Sequence, residues 1–175
     1  MTTRTGGPFL VRAARAEDAP ALCDILNRII EIGGTTAHET PYSPAAFDAA
    51  YISGPAALSC LLAAAPGGDI LGFQTLSKDA SLDADWADIG TFTRREPPRP
   101  GVGRKLFEET RARLGDLGVV AVNAQIRADN AGGLAYYEKM GFSTYRVIPD
   151  APLKSGARVD RICKVFRPAP GLTAL

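Results

Sequence analysis

The spacing of apolar residues changes character several times along this chain, and each change marks an element. "FLVRAA" (9–14) carries the apolar content of a first strand. In "APALCDILNRIIEI", Leu22, Leu26, Ile29 and Ile30 share one helical face; Glu17 and Asp18 precede this helix and Gly33-Gly34 end it. "TTAHETPYSP" reads as a loop. Ser43 before Pro44 then sets an N-cap with proline at the first helical position, for a short helix to about Ile52.

"ALSCLLAAA" and "DILGFQTLS", split by Pro66-Gly67-Gly68, predict an antiparallel hairpin, and "WADIGTFT" a further strand. From Val102 the period returns to helical, through Leu106, Leu114 and Leu117 to Gly118. "VVAVNAQI" predicts a buried strand, "NAGGLAYYEKM" a helix, and "STYRVI" and "RVDRICKVF" two closing strands. Antiparallel work thus comes first, followed by a β-α-β-α-β half. "RPAPGLTAL" and the N-terminal residues read as loose ends around a core of about 9–166, within one domain spanning 1–175.

With 46% apolar and 22% charged residues, a chain of 175 residues can bury roughly 70% of its unfolded surface in a single core. The longest apolar stretch, 56–65, is shorter than the roughly 20 residues of a membrane span, so a cytoplasmic protein with no membrane partner is expected. Cys23, Cys60 and Cys163 are scattered and His38 is the only histidine, which supports neither a disulfide framework nor a metal site. Net charge is +1, yet residues 94–113 hold seven of the 20 basic and three of the 19 acidic side chains. That excess is confined to one turn and the helix after it, which disfavours a nucleic-acid surface.

The basic segment contains "PPRPGVGRKLF" (97–107). A strand, then Gly101-Val102-Gly103, then a helix presents main-chain N–H groups and the positive end of a helix dipole to an anion, with Arg99, Arg104 and Lys105 adding mobile charge. Phosphate is the ligand this favours, although two glycines serving turn geometry alone would look the same. The pattern GxxxxGK[ST] is absent, and a dinucleotide GxGxxG would need glycine where Leu106 stands.

"NAGGLAYYEKMGF" (130–142) begins 27 residues after Gly103, one helix and one strand later. Together "GVG" and "N…YEKMGF" resemble the acetyl-CoA motifs of the GNAT acyltransferase superfamily, [QR]xxGx[GA] and N-x6-YE-x-x-GF, over roughly residues 9–166. The layout with "VRAARAEDAPALCDILN" and "TTAHETP" is most similar to the phosphinothricin-acetyltransferase-like branch. The resemblance implies an α+β fold, a mixed and mostly antiparallel sheet of six or seven strands with about four helices on both faces. It also implies acetyl-CoA as co-substrate, a small-molecule amine acceptor and, from the habit of similar proteins, a homodimer. One position departs: Pro98 stands where the pattern has Gln or Arg, offering neither a side-chain donor nor an N–H, and neighbouring Arg99 is the expected substitute.

Acyl transfer from a thioester to an amine needs a base for the ammonium, donors for the oxyanion and an acid for the departing thiolate. By the resemblance, Tyr137 is the general acid and Tyr136, about 100° around the helix, packs elsewhere. The resemblance also implies that main-chain N–H groups of Phe92 and Thr93 meet the oxyanion, on a strand splayed from its neighbour, with Gly90 fitting a local bulge. Asp88 is the candidate base, its pKa raised by desolvation near Trp86; a solvated strand-end aspartate is the alternative. By the resemblance, His38 and Glu39 lie in the loop that borders the acceptor pocket, although a lone loop histidine is more often only polar surface. Asn130 caps its helix and, by the resemblance, also binds the CoA arm; Gly132-Gly133 would allow the cofactor's close approach.

The reading is an acetyl-CoA-dependent N-acetyltransferase that moves an acetyl group directly to a small primary amine, an amino acid or analogue. A non-catalytic acyl-CoA-binding sensor or assembly module on the same fold remains the alternative; Pro98 favours it and Tyr137 opposes it.

Overall fold

The computed structural model describes residues 8–170; the outermost parts of the expected loose ends, residues 1–7 and 171–175, lie outside them. The strands are β1 (Leu10–Ala13), β2 (Ala57–Ala64), β3 (Ile70–Ser77), β4 (Trp86–Thr93), β5 (Ala121–Arg127), β6 (Ser143–Pro152) and β7 (Arg158–Phe166). They form one sheet in the order β1-β2-β3-β4-β5-β7-β6. Every neighbouring pair is antiparallel except β4–β5, which is parallel. The helices are α1 (Ala19–Ile32), α2 (Pro44–Tyr51), α3 (Val102–Arg113) and α4 (Ala131–Lys139), which gives the expected α+β architecture.

The continuous apolar run of β2 is explained by burial on both faces. Cys60, Leu62 and Ala64 pack under α1 and α2 with Leu22, Leu26, Phe47 and Phe73. Leu61 and Ala63, pointing the other way, pack with Val102 and Leu106 of α3. A third cluster joins Phe107, Tyr137 and Phe142 to Leu76, Ile89, Val122 and Ile126. Local chemistry sets the helix starts: Ser43 Oγ accepts from Ala46 N at 3.1 Å at the head of α2. Before α1, a 3-10 turn at Ala16–Asp18 is held by the Arg12–Asp18 ion pair at 2.7 Å.

Two elements differ from expectation. The helix from Val102 ends at Arg113 instead of reaching Gly118, because the chain turns through Gly118 (φ +68°) and Val119 N bonds Leu114 O at 3.0 Å. The strand from Ser143 runs on to Pro152, absorbing two register shifts against β7, one of them beside Asp150 at φ +53°.

One irregularity positions everything that follows. β4 and β5 pair only at Trp86–Ala121, Ala87–Val122 and Asp88–Asn123. Yet β4 stays paired to β3 as far as Thr93, and β5 to β7 as far as Arg127. The sheet is therefore open in its middle beyond Asp88.

Candidate active site

Strand alternation decides which main-chain groups face this opening. Arg94 N donates to Leu71 O on β3, and Val120 N at the head of β5 takes Asp85 O, so even-numbered residues of β4 point their main chain at β3 and odd-numbered ones at β5. Thr91 and Thr93 thus offer their N–H groups to the opening. The Phe92 N–H is turned into the β3 ladder, which removes it as an oxyanion donor; its ring is packed against Phe73 and His38 instead. No bulge occurs at Gly90, since the β3–β4 register runs unshifted. Glycine is required there because a Cβ would sit 2.8 Å from the Phe92 ring.

At the far end of the opening, Gly101 adopts φ +86° as the N-cap of α3, a conformation that favours glycine. Gly103 and Arg104, in the first turn of α3, line the same cleft, where a helix start offers N–H groups with no intrahelical acceptor. Val102 contributes only main chain, because its side chain is in the core at 1% exposure. Arg99 lines the cleft beside Gly101, Gly103 and Arg104, and its buried Nε has no partner among the described residues. Arg104 and Lys105 engage Glu108 and Glu109 along the exposed helix surface. An orphaned guanidinium nitrogen beside a glycine turn and a helix start is a donor set that fits a diphosphate.

Gly103 serves a different purpose. A Cβ there would lie 2.9 Å from the Tyr136 ring, whose hydroxyl donates to Gly103 O at 2.7 Å. The two sequence motifs are thus stitched together by the tyrosine expected to pack elsewhere. Tyr137, in the third core cluster, places its hydroxyl 2.9 Å from Thr91 Oγ1, and burial pushes its pKa up. Asn130 caps α4 through Gly133 N at 2.9 Å, while its Nδ2 donates to Thr35 O at 2.9 Å. Its amide thus ties the start of α4 to the loop at Thr35, and Nδ2 keeps a second N–H at a residue that lines the cleft. Gly133 is explained by the same cap, as a Cβ would meet Asn130 Nδ2 at 2.5 Å.

On the α1–α2 face, Asp88 accepts from Asn123 Nδ2 at 2.7 Å, and Tyr145 Oη donates to Asn123 Oδ1 at 2.7 Å. Burial, with a smaller contribution from Asp79, pushes Asp88 up to about 6 against the pull of the Asn123 hydrogen bond. Trp86 packs on Tyr145 and under Arg167. His38 sits among Tyr42, Tyr51 and Phe92, with both hydroxyls within 3.4 Å of its ring nitrogens. Burial and the charge of Arg161 lower its pKa, favouring the neutral ring. Glu39 turns away from the cleft, and its carboxylate accepts from Lys154 N at 3.1 and 3.2 Å in the β6–β7 connection. This contact clasps the loop around Glu39 to the β6–β7 connection.

One cleft of about 1350 Å³ connects these parts, lined by Arg99, Gly101, Thr93, Tyr137, Asp88 and His38 among others. The profile of the Acetyltransferase (GNAT) family matches residues 21–142. The chain belongs to the GNAT acetyltransferase family. Comparison with curated protein sequences gives no significant match. Solved GNAT structures share the fold. A GNAT superfamily phosphinothricin acetyltransferase from Sinorhizobium meliloti in complex with acetyl-CoA is 20% identical, with TM-score 0.79 over 95% of this chain and 92% of that one. An N-acetyltransferase from Staphylococcus aureus Mu50 is 16% identical, with TM-score 0.79 over 93% and 100%. The ribosomal-protein-S18-alanine N-acetyltransferase from Escherichia coli is 22% identical, with TM-score 0.73 over 96% and 99%.

Several residues of this GNAT site escaped the sequence reading: Gln74, Thr91, Asn123, Tyr42 and Tyr51. Two of them carried a signal. Gln74 interrupts "ILGFQTLS" and Asn123 interrupts "VVAVNAQI", and both side chains are buried. A polar residue inside a strand buried on both faces needs a partner, and the partner is where function is to be sought.

Proposed function

We propose that this acetyltransferase moves an acetyl group from acetyl-CoA directly to the primary amine of a small molecule, an amino acid or an analogue of one. The observation that carries the reading is the opening between β4 and β5, with Asp88 and Tyr137 in one cleft that continues to the Gly101 turn. The Arg99 guanidinium, the Gly101 to Gly103 main chain and Arg104 hold the diphosphate, and acetyl-CoA supplies the activated acyl group. Asp88, poised near 6, is ionised at neutral pH and accepts the acceptor's proton. Thr93 N–H, with Thr91 N–H behind it, faces the developing oxyanion. Tyr137 gives its proton to the departing sulfur. Neutral His38 and its aromatic neighbours bound the acceptor end. Three buried free thiols suit a reducing compartment, and we assign the enzyme to the cytoplasm.

The test is release of free thiol from acetyl-CoA in the presence of each of the twenty amino acids and simple primary amines. Sustained release with one amine, reduced about 100-fold or more by Tyr137→Phe, is the expected result. Tight acetyl-CoA binding without turnover for any amine would point to the sensor.

A further inference from the structure

Tyr137 as a general acid presents a difficulty, and its neighbours resolve it. The hydroxyl is buried, and the Tyr136 hydroxyl on the same helix and the Asp88 carboxylate on β4 both push its pKa up. Only the contact with Thr91 opposes them. Which atom donates in that contact therefore matters, and the surrounding hydrogen bonds answer it.

Gly103 O can only accept, so Tyr136 Oη donates its proton there at 2.7 Å. The Tyr136 oxygen must then accept from Gln74 Nε2, at 3.3 Å, which fixes the orientation of the Gln74 amide. The same NH2 group donates to Thr91 Oγ1 at 2.9 Å. Thr91 retains its own hydroxyl proton; of the two tyrosine oxygens near it, Tyr137 Oη lies at 2.9 Å, whereas the Tyr136 oxygen already accepts from Gln74. Gln74 Oε1 is left buried and, among the described residues, without a partner, in a residue 1% exposed. That orphan is the cost of the orientation, and a turned amide would draw the Thr91 proton towards Gln74 instead.

The geometry points to Thr91, oriented by Gln74 and Tyr136 from the first turn of α3, as the positioning residue that donates to Tyr137 Oη and leaves the Tyr137 proton directed at the cleft. This rests on the general-acid reading of Tyr137. In the step it serves, the Tyr137 O–H bond breaks, the proton passes to the thiolate sulfur and an S–H bond forms. The phenolate left behind keeps the Thr91 hydrogen bond until it recovers a proton from solvent, the acceptor's proton having passed to Asp88. A charge-assisted hydrogen bond is thereby made only after proton transfer begins, which is the condition for a rate effect without a binding effect. The chain of contacts also ties the first turn of α3, where the diphosphate is held, to the acid at the other end of the thioester.

The experiment measures thiol release from acetyl-CoA, with the best amino acid of the panel and with hydroxylamine as a surrogate acceptor. Thr91→Val is expected to lower kcat roughly 10- to 100-fold with KM for acetyl-CoA within about threefold of the parent. Thr91→Ser, which keeps the hydroxyl, should stay within about threefold in kcat. In a Tyr137→Phe background, Thr91→Val should change kcat by less than about twofold, since the two groups act as a unit. Gln74→Met, which removes the orienting amide at similar volume, should lower kcat and spare the acetyl-CoA KM. A Thr91→Val enzyme with unchanged kcat beside an impaired Tyr137→Phe enzyme overturns the proposal alone. So does an equal loss in Thr91→Ser, or additivity in the double variant. An unimpaired Tyr137→Phe enzyme, or no thiol release with either acceptor type, overturns the general-acid reading and this proposal with it.

Discussion

The two ends of the cleft are built by different means. The cofactor end is made of main chain and of residues close in sequence: the Gly101 turn, the start of α3, and the Tyr136–Gly103 bond spanning 33 positions. The acceptor end is assembled from loops far apart. Thr35 is held by Arg95 and Asn130, 60 and 95 positions away, and Glu39 and Thr40 by Lys154 at 115 and 114. A site made of backbone geometry tolerates changes in its side chains and leaves a compact motif. A site made of clasped loops can be rebuilt by substitutions anywhere along them, which suits an acceptor specificity that differs among relatives of one fold.

The comparison can be broken most forcefully between the two ends, at Asp88. Asp88→Asn keeps an acceptor for Asn123 and removes the base, so kcat at pH 8 should fall on the order of 100-fold. The parent's kcat should rise with pH through about 6 as the carboxyl ionises. The sign for stability is opposite. A carboxyl whose pKa rises on folding, from its ordinary 3.8 to about 6, binds more protons folded than unfolded, so it lowers stability as pH climbs between those values. Asp88→Asn should therefore melt higher than the parent at pH 8, by on the order of 1–2 kcal/mol after allowing for partial solvent screening, with the gain shrinking towards pH 4.

The next effects sharpen the cofactor end. Arg99→Ala should raise KM for acetyl-CoA roughly tenfold or more, through loss of a charge-assisted contact. The same variant assayed with S-acetyl-N-acetylcysteamine, which lacks the diphosphate, should match the parent. Gly103→Ala forces the Tyr136 ring to move and should cost about 1 kcal/mol or more in thermal stability while raising KM for acetyl-CoA. Smallest is the clasp at the acceptor end. Glu39→Ala should raise the acceptor KM about threefold through a lost hydrogen bond to the Lys154 main chain, leaving KM for acetyl-CoA unchanged.

How much was legible follows the same division. β2 and β3, α1 with its apolar face, the Ser43 cap and both motifs could be read because each depends on neighbours a few residues away. The opening of the sheet was expected only through the family resemblance; its extent appears in the pairing, where β4–β5 contact stops after three residue pairs. Phe92 was misjudged as a donor because which edge an N–H faces depends on strand pairing that composition does not reveal. Gly103 and Gly133 were credited to a ligand, whereas the atoms that need their space belong to Tyr136 and Asn130.

From its sequence alone, this protein's elements, their order and its membership in an acyl-transfer family were determined, because periodicity, caps and turns are set by residues near one another and because both motifs are short and local. The burial that holds Asp88 near 6, the clasp between Glu39 and Lys154 and the chain of hydrogen bonds linking Gly103 to Tyr137 were decided only by tertiary structure. Desolvation and hydrogen-bond polarity depend on which distant groups are brought within about 3 Å, and no local pattern encodes that.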